Sequence, residues 1–207
     1  MDKEISKKLF IKYKINTPKF ITYSFDKKNS QLVKIINSKL KFPVVVKPLN
    51  EGSSVNVFIC NRKNIFKILN SLKNYKKVMI EEFIGGREIQ VAILGNRKLG
   101  AIELKPKRKF YDYQAKYNTN AKTQHIIKID LPKKKLNEVL EIAQKAHKII
   151  KCKGVTRSDF KYFNGKFYLL ELNTQPGMTQ LSLVPEIAAH HGMSFIELIE
   201  WILKDAS

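Results

Sequence analysis

The apolar positions at the start of the chain carry a helical period. Ile5, Leu9, Phe10 and Tyr13 follow Asp2, a residue suited to capping, and predict an amphipathic helix that docks on a neighbouring element and ends at Thr17-Pro18. Two short β-branched runs, Pro43 to Lys47 and Val55 to Ile59, flank the polar turn Leu49 to Ser54 and predict a hairpin. Ile65, Ile68, Leu69 and Leu72 return to helical spacing. Val78-Met79-Ile80 then opens a strand that ends at Ile84-Gly85-Gly86, where a hinge is expected. Glu88 to Leu94 and Leu99 to Leu104 predict an antiparallel pair about the turn Gly95 to Lys98. Lys105 to Gln124 is polar and aromatic with no clear period, as a long functional loop would be. Leu136, Val139, Leu140, Ala143 and Ala146 mark the clearest helix, followed by Gly154. Val155 to Phe160 and Phe167 to Leu172 make a hairpin about Asn164-Gly165, a dipeptide that favours a type I′ turn. The capping box Ser194-Phe195-Ile196-Glu197 opens a last helix striped by Leu198, Ile199 and Ile202.

Strands that pair locally and are then interrupted by helices predict an α+β chain of two lobes, residues 1–83 and 84–207, rather than an alternating βαβ fold. Neither a Gly-x-Gly-x-x-Gly after a strand nor a Gly-x-x-x-x-Gly-Lys-Ser/Thr occurs, so any nucleotide must be held another way.

Composition alters this picture little. The net charge of +21 raises nucleic acid and anionic membranes as partners, but only Arg62, Arg87, Arg97, Arg108 and Arg157 of the 39 basic residues are arginine. The lysines are scattered among Asn and Ile, whereas base readout and bidentate phosphate contacts favour arginine, so neither partner is expected. No apolar run approaches the roughly 20 residues that span a bilayer, and Met1-Asp2-Lys3-Glu4-Ile5 lacks a signal peptide's apolar stretch. The expected compartment is the cytoplasm. Cys60 and Cys152 stand apart without a metal-binding context and are expected to be buried and inert.

The chemistry concentrates on the last hairpin. Period-two alternation puts Glu171 and Asn173 on one face of their strand, and pairing about Asn164-Gly165 can bring Asp159 opposite them. Two carboxylates and an amide oxygen suit Mg²⁺, although a solvated strand edge would show the same alternation. Arg157 beside them could stabilise an oxyanion, and Gly177 in the loop Asn173 to Thr179 could offer a backbone N–H. Lys47 ends an apolar strand, where an ammonium meets either a phosphate or, by snorkelling, water. The small residues of Glu51-Gly52-Ser53-Ser54-Val55 could close over phosphates. Glu81 and Glu88 flank the hinge, where a carboxylate can accept from ribose hydroxyls and backbone can pair with adenine. The aromatic run Phe110 to Tyr117 has the character of a substrate-covering lid.

Taken in order, these segments resemble the D-alanine-D-alanine ligase family of the ATP-grasp superfamily over nearly the whole chain. The matching stretches are Met1-Asp2-Lys3, Phe42 to Pro48, Glu51 to Val55, Ile80 to Ile84 with Arg87-Glu88, Phe110 to Tyr117, Glu171 to Thr179 and Ser182 to Pro185. The resemblance implies an ATP-grasp fold of two lobes with largely antiparallel sheets and flanking helices. It places Lys3, Lys47 and Lys116 near the phosphates of ATP, Glu81, Glu82, Phe83 and Ile84 beside adenine, and Glu88 at the ribose. Asp159, Glu171 and Asn173 would hold two Mg²⁺ ions, for which Mn²⁺ could substitute, and Arg157 with the Gly177 N–H would form the oxyanion site. Ser182 and Leu183 would meet the acceptor D-alanine, Tyr111 belongs to the substrate-covering lid, and Ser53 with Tyr117 would position that lid.

The implied reaction phosphorylates one D-alanine carboxylate, and the amine of a second D-alanine displaces phosphate to give D-alanyl-D-alanine for peptidoglycan. Met1-Asp2-Lys3 matches the opening of the family's middle domain, so the family's N-terminal domain is expected to be absent from this sequence, and one reading has a separately encoded polypeptide supply it. A homodimer is compatible with the resemblance. The chain departs from the family pattern at Thr156 and Asn56, where glycine is usual, and at Gln175, where serine is usual. Two other readings stay open, an ATP-binding remnant without ligase activity and a basic nucleic-acid-binding protein.

Overall fold

Two antiparallel sheets, each with its own apolar core, account for all nine strands of the described residues. The structure is a computed structural model and describes residues 2–26, 31–52, 54–105, 123–179 and 182–206. Helix α1 (Lys3–Lys12) leads into β1 (Phe20–Ser24), α2 (Leu32–Lys39), β2 (Val44–Pro48), β3 (Phe58–Cys60), α3 (Ile65–Ser71) and β4 (Lys77–Glu82). The second half runs β5 (Arg87–Leu94), β6 (Arg97–Lys105), β7 (Gln124–Ile126), α4 (Lys133–Ile149), β8 (Val155–Phe163), β9 (Lys166–Asn173), α5 (Leu183–His190) and α6 (Phe195–Ala206).

The first sheet has the order β1-β4-β2-β3, and Leu32, Ile36, Ile65 and Leu69 from α2 and α3 close its core over Val44, Val46, Val78 and Ile80. The hairpin of β2 and β3 forms as expected, though its second strand begins at Phe58. Strand β1 and helix α2 were not foreseen, and β1 completes the sheet by pairing with β4. The expected lobe boundary falls between β4 and β5, on the segment 83–86. Gly86 there has φ of +83°, and a Cβ on it would overlap the Tyr162 carbonyl oxygen.

The second sheet has the order β7-β6-β5-β8-β9 and is covered on both faces. On β5, Ile89, Val91 and Ile93 enter the core beneath α4, while Ala92 and Leu94 enter the core beneath α5 and α6. Double coverage explains why β5 reads as a continuous apolar run. Its other end is polar, with Glu88 and Gln90 sharing the face of Ala92 and Leu94. The Asn164-Gly165 turn has positive φ at both residues, as a type I′ turn requires. The Ser194/Glu197 capping box closes, with Ser194 N–H donating to Glu197 Oε2 at 2.7 Å and Glu197 N–H to Ser194 Oγ at 3.3 Å.

Helix α1 corrects its expected face. Asp2 caps it as read, Oδ1 accepting from the N–H groups of Glu4 and Ile5. Yet Ile5 is 63% exposed and Tyr13 43%, and the buried stripe is Lys3, Ser6, Lys7 and Phe10. Those positions follow i, i+3, i+4, i+7, so the helix is docked mostly by polar residues. Phe10 and Ile15 join the core of the second sheet, and Leu169 N–H donates to Asn16 O at 2.9 Å, tying the chain's start to β9.

Candidate functional site

A cleft partly open to solvent lies where the polar edge of the first sheet faces β8 and β9. Its first wall carries Lys3 from α1, Lys47 from β2 and Glu81 from β4, with Glu82, Phe83 and Ile84 along the inter-lobe segment. The opposite wall carries Glu88, Asp159 and Glu171. Sequence reasoning had singled out all nine.

The acidic wall depends on a β-bulge. With an unbroken register about the turn, Glu171 would share the face of Leu169 and point into the core. The pairing of β8 with β9 instead shifts between Asp159 and Phe160, so that Asp159 stands opposite Glu171 while Phe160 pairs with Leu169. Leu169 and Leu172 both stay in the core, and Leu170 and Glu171 turn to the cleft. The expected facing of Asp159 and Glu171 is therefore found, by a device the alternation alone did not reveal. Asn173 lies opposite Arg157, and its Nδ2 donates to the Arg157 carbonyl at 3.4 Å.

Each carboxylate already has a cation. Arg157 Nε donates to Asp159 Oδ1 at 2.8 Å and Nη2 to Oδ2 at 3.1 Å, with Nε also 3.1 Å from Gln90 Oε1. Lys3 Nζ stands 3.6 Å from Glu171 Oε2 and donates to the Glu51 carbonyl. Lys161, which sequence reasoning passed over, reaches Glu88 Oε2 at 2.9 Å. Among the described residues no three His, Cys, Asp or Glu side chains gather around a point, so the expected metal set rests on two carboxylates and the Asn173 amide. Those hard oxygen donors suit Mg²⁺, which keeps waters and needs few protein ligands.

The most buried charges of the cleft surround Glu81. Its carboxylate is 3% exposed, with Lys47 Nζ 2.5 Å from Oε1 and Lys7 Nζ 2.8 Å from Oε2. Burial opposes its charge, but Lys47 and Lys7 outweigh that and hold the carboxyl below the usual range. Lys47 thus neither snorkels nor stands alone. Lys7 Nζ also donates to Thr17 Oγ1 at 2.8 Å. Burial pushes the Lys7 ammonium down to about 8 despite Glu81. Lys7 escaped sequence reasoning because it lies off the apolar stripe. Its signal was the stripe it shares with Lys3, Ser6 and Phe10.

Farther along, Ser182 caps α5, and its Oγ accepts from Thr179 N–H at 3.0 Å. A Cβ at Gly177 would stand 2.8 Å from that same oxygen, so Gly177 and Ser182 are brought together as well. Leu183 is buried in the first turn of α5. Ser53, Tyr111, Lys116 and Tyr117 lie outside the described residues.

The family model described as D-ala D-ala ligase C-terminus matches residues 9–204. The chain belongs to the D-alanine-D-alanine ligase family. It is 68% identical over its whole length to the D-alanine-D-alanine ligase of Pelagibacter ubique (strain HTCC1062), and covers 68% of that protein. With the D-alanine-D-alanine ligase of Wolbachia pipientis wMel the identity is 40%, covering all of this chain and 65% of the relative. Among solved structures, the D-alanine-D-alanine ligase of Bacillus anthracis superposes with a TM-score of 0.87 at 33% identity, covering 99% of this chain and 66% of that one. The same enzyme complexed with ATP gives 0.82 at 28% identity, covering 99% and 65%. The chain therefore spans about two thirds of the length of the ligases it matches. The expected α+β, ATP-grasp architecture stands.

Two of this ligase-family chain's departures find local compensation. Thr156, fully buried in β8, places Oγ1 2.9 Å from His147 Nδ1. Asn56 adopts φ of +55°, which asparagine tolerates better than most residues, and its Nδ2 donates to the Tyr75 hydroxyl at 2.8 Å. Cys60 is buried as expected, with its thiol pushed up to about 11 by burial, whereas Cys152, expected to be buried, is only half-buried, its thiol raised by the same cause. No helix of the described residues is long and apolar enough to cross a membrane.

Proposed function

We propose that this chain binds ATP in the cleft between its two sheets and carries the phosphoryl-transfer and ligation centre of a D-alanine-D-alanine ligase. One observation carries the reading most: lysines and acids that the family resemblance implicated separately line a single cleft, Lys3 and Lys47 on one wall and Asp159 and Glu171 on the other. The D-alanine-D-alanine ligase relatives support the choice of reaction.

In this reading Lys3 and Lys47 neutralise the polyphosphate, the segment Glu82 to Ile84 presents backbone to adenine, and Glu88 accepts from the ribose. All of these residues line the same cleft. Asp159, Glu171 and Asn173 would hold Mg²⁺, whose chemistry there would be to offset the negative charge of the transferring phosphoryl group. Arg157, which donates to both Asp159 oxygens in the structure, would face the oxyanion of the tetrahedral intermediate, with the Gly177 N–H as second donor. Ser182 and Leu183 meet the carboxylate of the acceptor D-alanine at the N-terminus of α5, whose free N–H groups favour an anion. The carboxylate of the first D-alanine takes the γ-phosphoryl group of ATP. The amine of the second then attacks that acyl phosphate, phosphate leaves with the C–O bond, and the amine gives up a proton. Lys116, Ser53, Tyr111 and Tyr117 would close the site against water.

The test is a chimera in which this chain replaces the matched region of the Pelagibacter ubique ligase. It should release phosphate only with D-alanine and yield D-alanyl-D-alanine in preference to D-alanyl-D-lactate. ATP binding without either product would overturn the ligase reading.

A further inference from the structure

The buried ammonium of Lys7 has no part in the chemistry set out above, yet it is the most enclosed charge beside the cleft, its side chain 1% exposed. It is the middle link of a polar chain that runs from one sheet to the other. Lys47 Nζ lies 2.5 Å from Glu81 Oε1, and Lys7 Nζ lies 2.8 Å from Glu81 Oε2. Lys7 Nζ donates to Thr17 Oγ1 at 2.8 Å, and Thr17 Oγ1 donates to the Leu169 carbonyl of β9 at 2.7 Å. Leu170 and Glu171, the next residues of β9, line the cleft. The chain thus joins the lysine expected at the phosphates to the strand expected at the metal.

We propose that Lys7 is a positioning residue for the nucleotide site, holding the Glu81 carboxylate so that Lys47 can leave it for the phosphates of ATP. The proposal rests on the reading of Lys47 as a phosphate contact. Its physical basis is charge counting in a buried place. Two ammonium groups share one carboxylate, so the cluster carries an excess positive charge that suits an arriving polyphosphate. When Lys47 turns to that anion, Glu81 keeps Lys7 as counter-ion. Without Lys7, Lys47 would be the remaining cation held against a carboxylate that is 3% exposed, and moving it would leave a buried anion unpaired. A neutral side chain at position 7 therefore pins Lys47 to Glu81. The tie through Thr17 to β9 fixes the cluster relative to the acidic wall.

The experiment measures the affinity of the chain for Mg-ATP and for adenosine by calorimetry and competition, in wild type, Lys7→Met, Lys47→Met and the double variant. Lys7→Met should weaken Mg-ATP about tenfold, the scale of one lost charge-assisted contact, while adenosine changes by less than about twofold. Added to Lys47→Met it should cost nothing further, because the residue it positions is gone. Equal losses for ATP and adenosine, or full additivity with Lys47→Met, would overturn the proposal and assign Lys7 a purely structural role. If Lys47→Met itself leaves Mg-ATP affinity unchanged, it is the phosphate reading of the cleft that fails. Should Lys7→Met not fold, Thr17→Val keeps the ammonium and removes only its link to β9. A weaker but equally ATP-selective loss, absent in the Lys47→Met background, is then expected, and an unselective loss counts against the proposal.

Discussion

Replacing Glu81 by glutamine keeps its shape and removes the one carboxylate that two buried ammonium groups share. In the structure Lys7 and Lys47 are 1% and 7% exposed at their side chains, so neither can recover its partner's charge from water. Breaking a buried ion pair by neutralising one member costs about 3–5 kcal/mol, because the other charge stays behind. For a chain of 207 residues that corresponds to a fall in Tm of roughly 6–20 °C, at about 2–4 °C per kcal/mol. The pH dependence carries the reasoning further. Burial already holds Lys7 at about 8, below the value of 10.5 that applies to the unfolded chain, and losing Glu81 removes its chief stabilising charge and lowers it further. Between those two values the unfolded chain binds more protons than the folded one, so stability rises with pH. The gap between wild type and Glu81→Gln should therefore be widest near pH 6 and narrow toward pH 9, where the Lys7 ammonium is already losing its proton. Urea unfolding at both pH values measures it. A gap below about 1 kcal/mol at pH 6, or one that widens at pH 9, would refute the view of Glu81 as the anchor of buried charge.

Lys7→Met should remove most of the rise in stability expected of wild type between pH 8 and 10.5, which paired urea titrations would reveal. Gly86→Ala forces a side chain into φ of +83° and against the Tyr162 carbonyl, and should cost about 1–3 kcal/mol by denaturant unfolding. Ser194→Ala opens the capping box of α6 and should cost about 1 kcal/mol in the same assay, with cleft binding unaffected. Asp159→Asn should abolish most of the stimulation of ATP binding by Mg²⁺ while leaving metal-free binding close to wild type, checked by calorimetry with and without EDTA.

Elements with a strong local signature were legible in the sequence. The helix of Leu136 to Ala146, the Asn164-Gly165 hairpin and the Ser194 capping box each carry their own spacing or turn chemistry, and each formed where it was read. Strand β1 was missed because Phe20-Ile-Thr-Tyr-Ser is half-buried throughout and draws its stability from pairing with β4, a partner more than fifty residues away. Helix α5 was hidden by Pro185, which sits in its first turn, where no intrahelical N–H is needed.

At the site, Lys47 was legible as a charge ending an apolar strand, Asp159 and Glu171 as acids that the hairpin brings together, and Glu81 and Glu88 only as acids flanking the expected hinge; the family pattern linked them. The bulge that turns Glu171 out of the core was not, because alternation alone does not show where a register slips. Lys7 was illegible for a different reason. Hydrophobicity selects the stripe of Ile5 and Leu9, and only the tertiary contacts with Glu81 and Thr17 make a lysine the buried residue of that turn.

The central claim is that the cleft between the two sheets is an ATP site in which Lys47 addresses phosphate. Calorimetric titration of the purified chain with Mg-ATP tests it most directly. The account predicts saturable binding at one site, weakened at least about tenfold by Lys47→Met. An absence of saturable binding, or equal affinity in Lys47→Met, would contradict it.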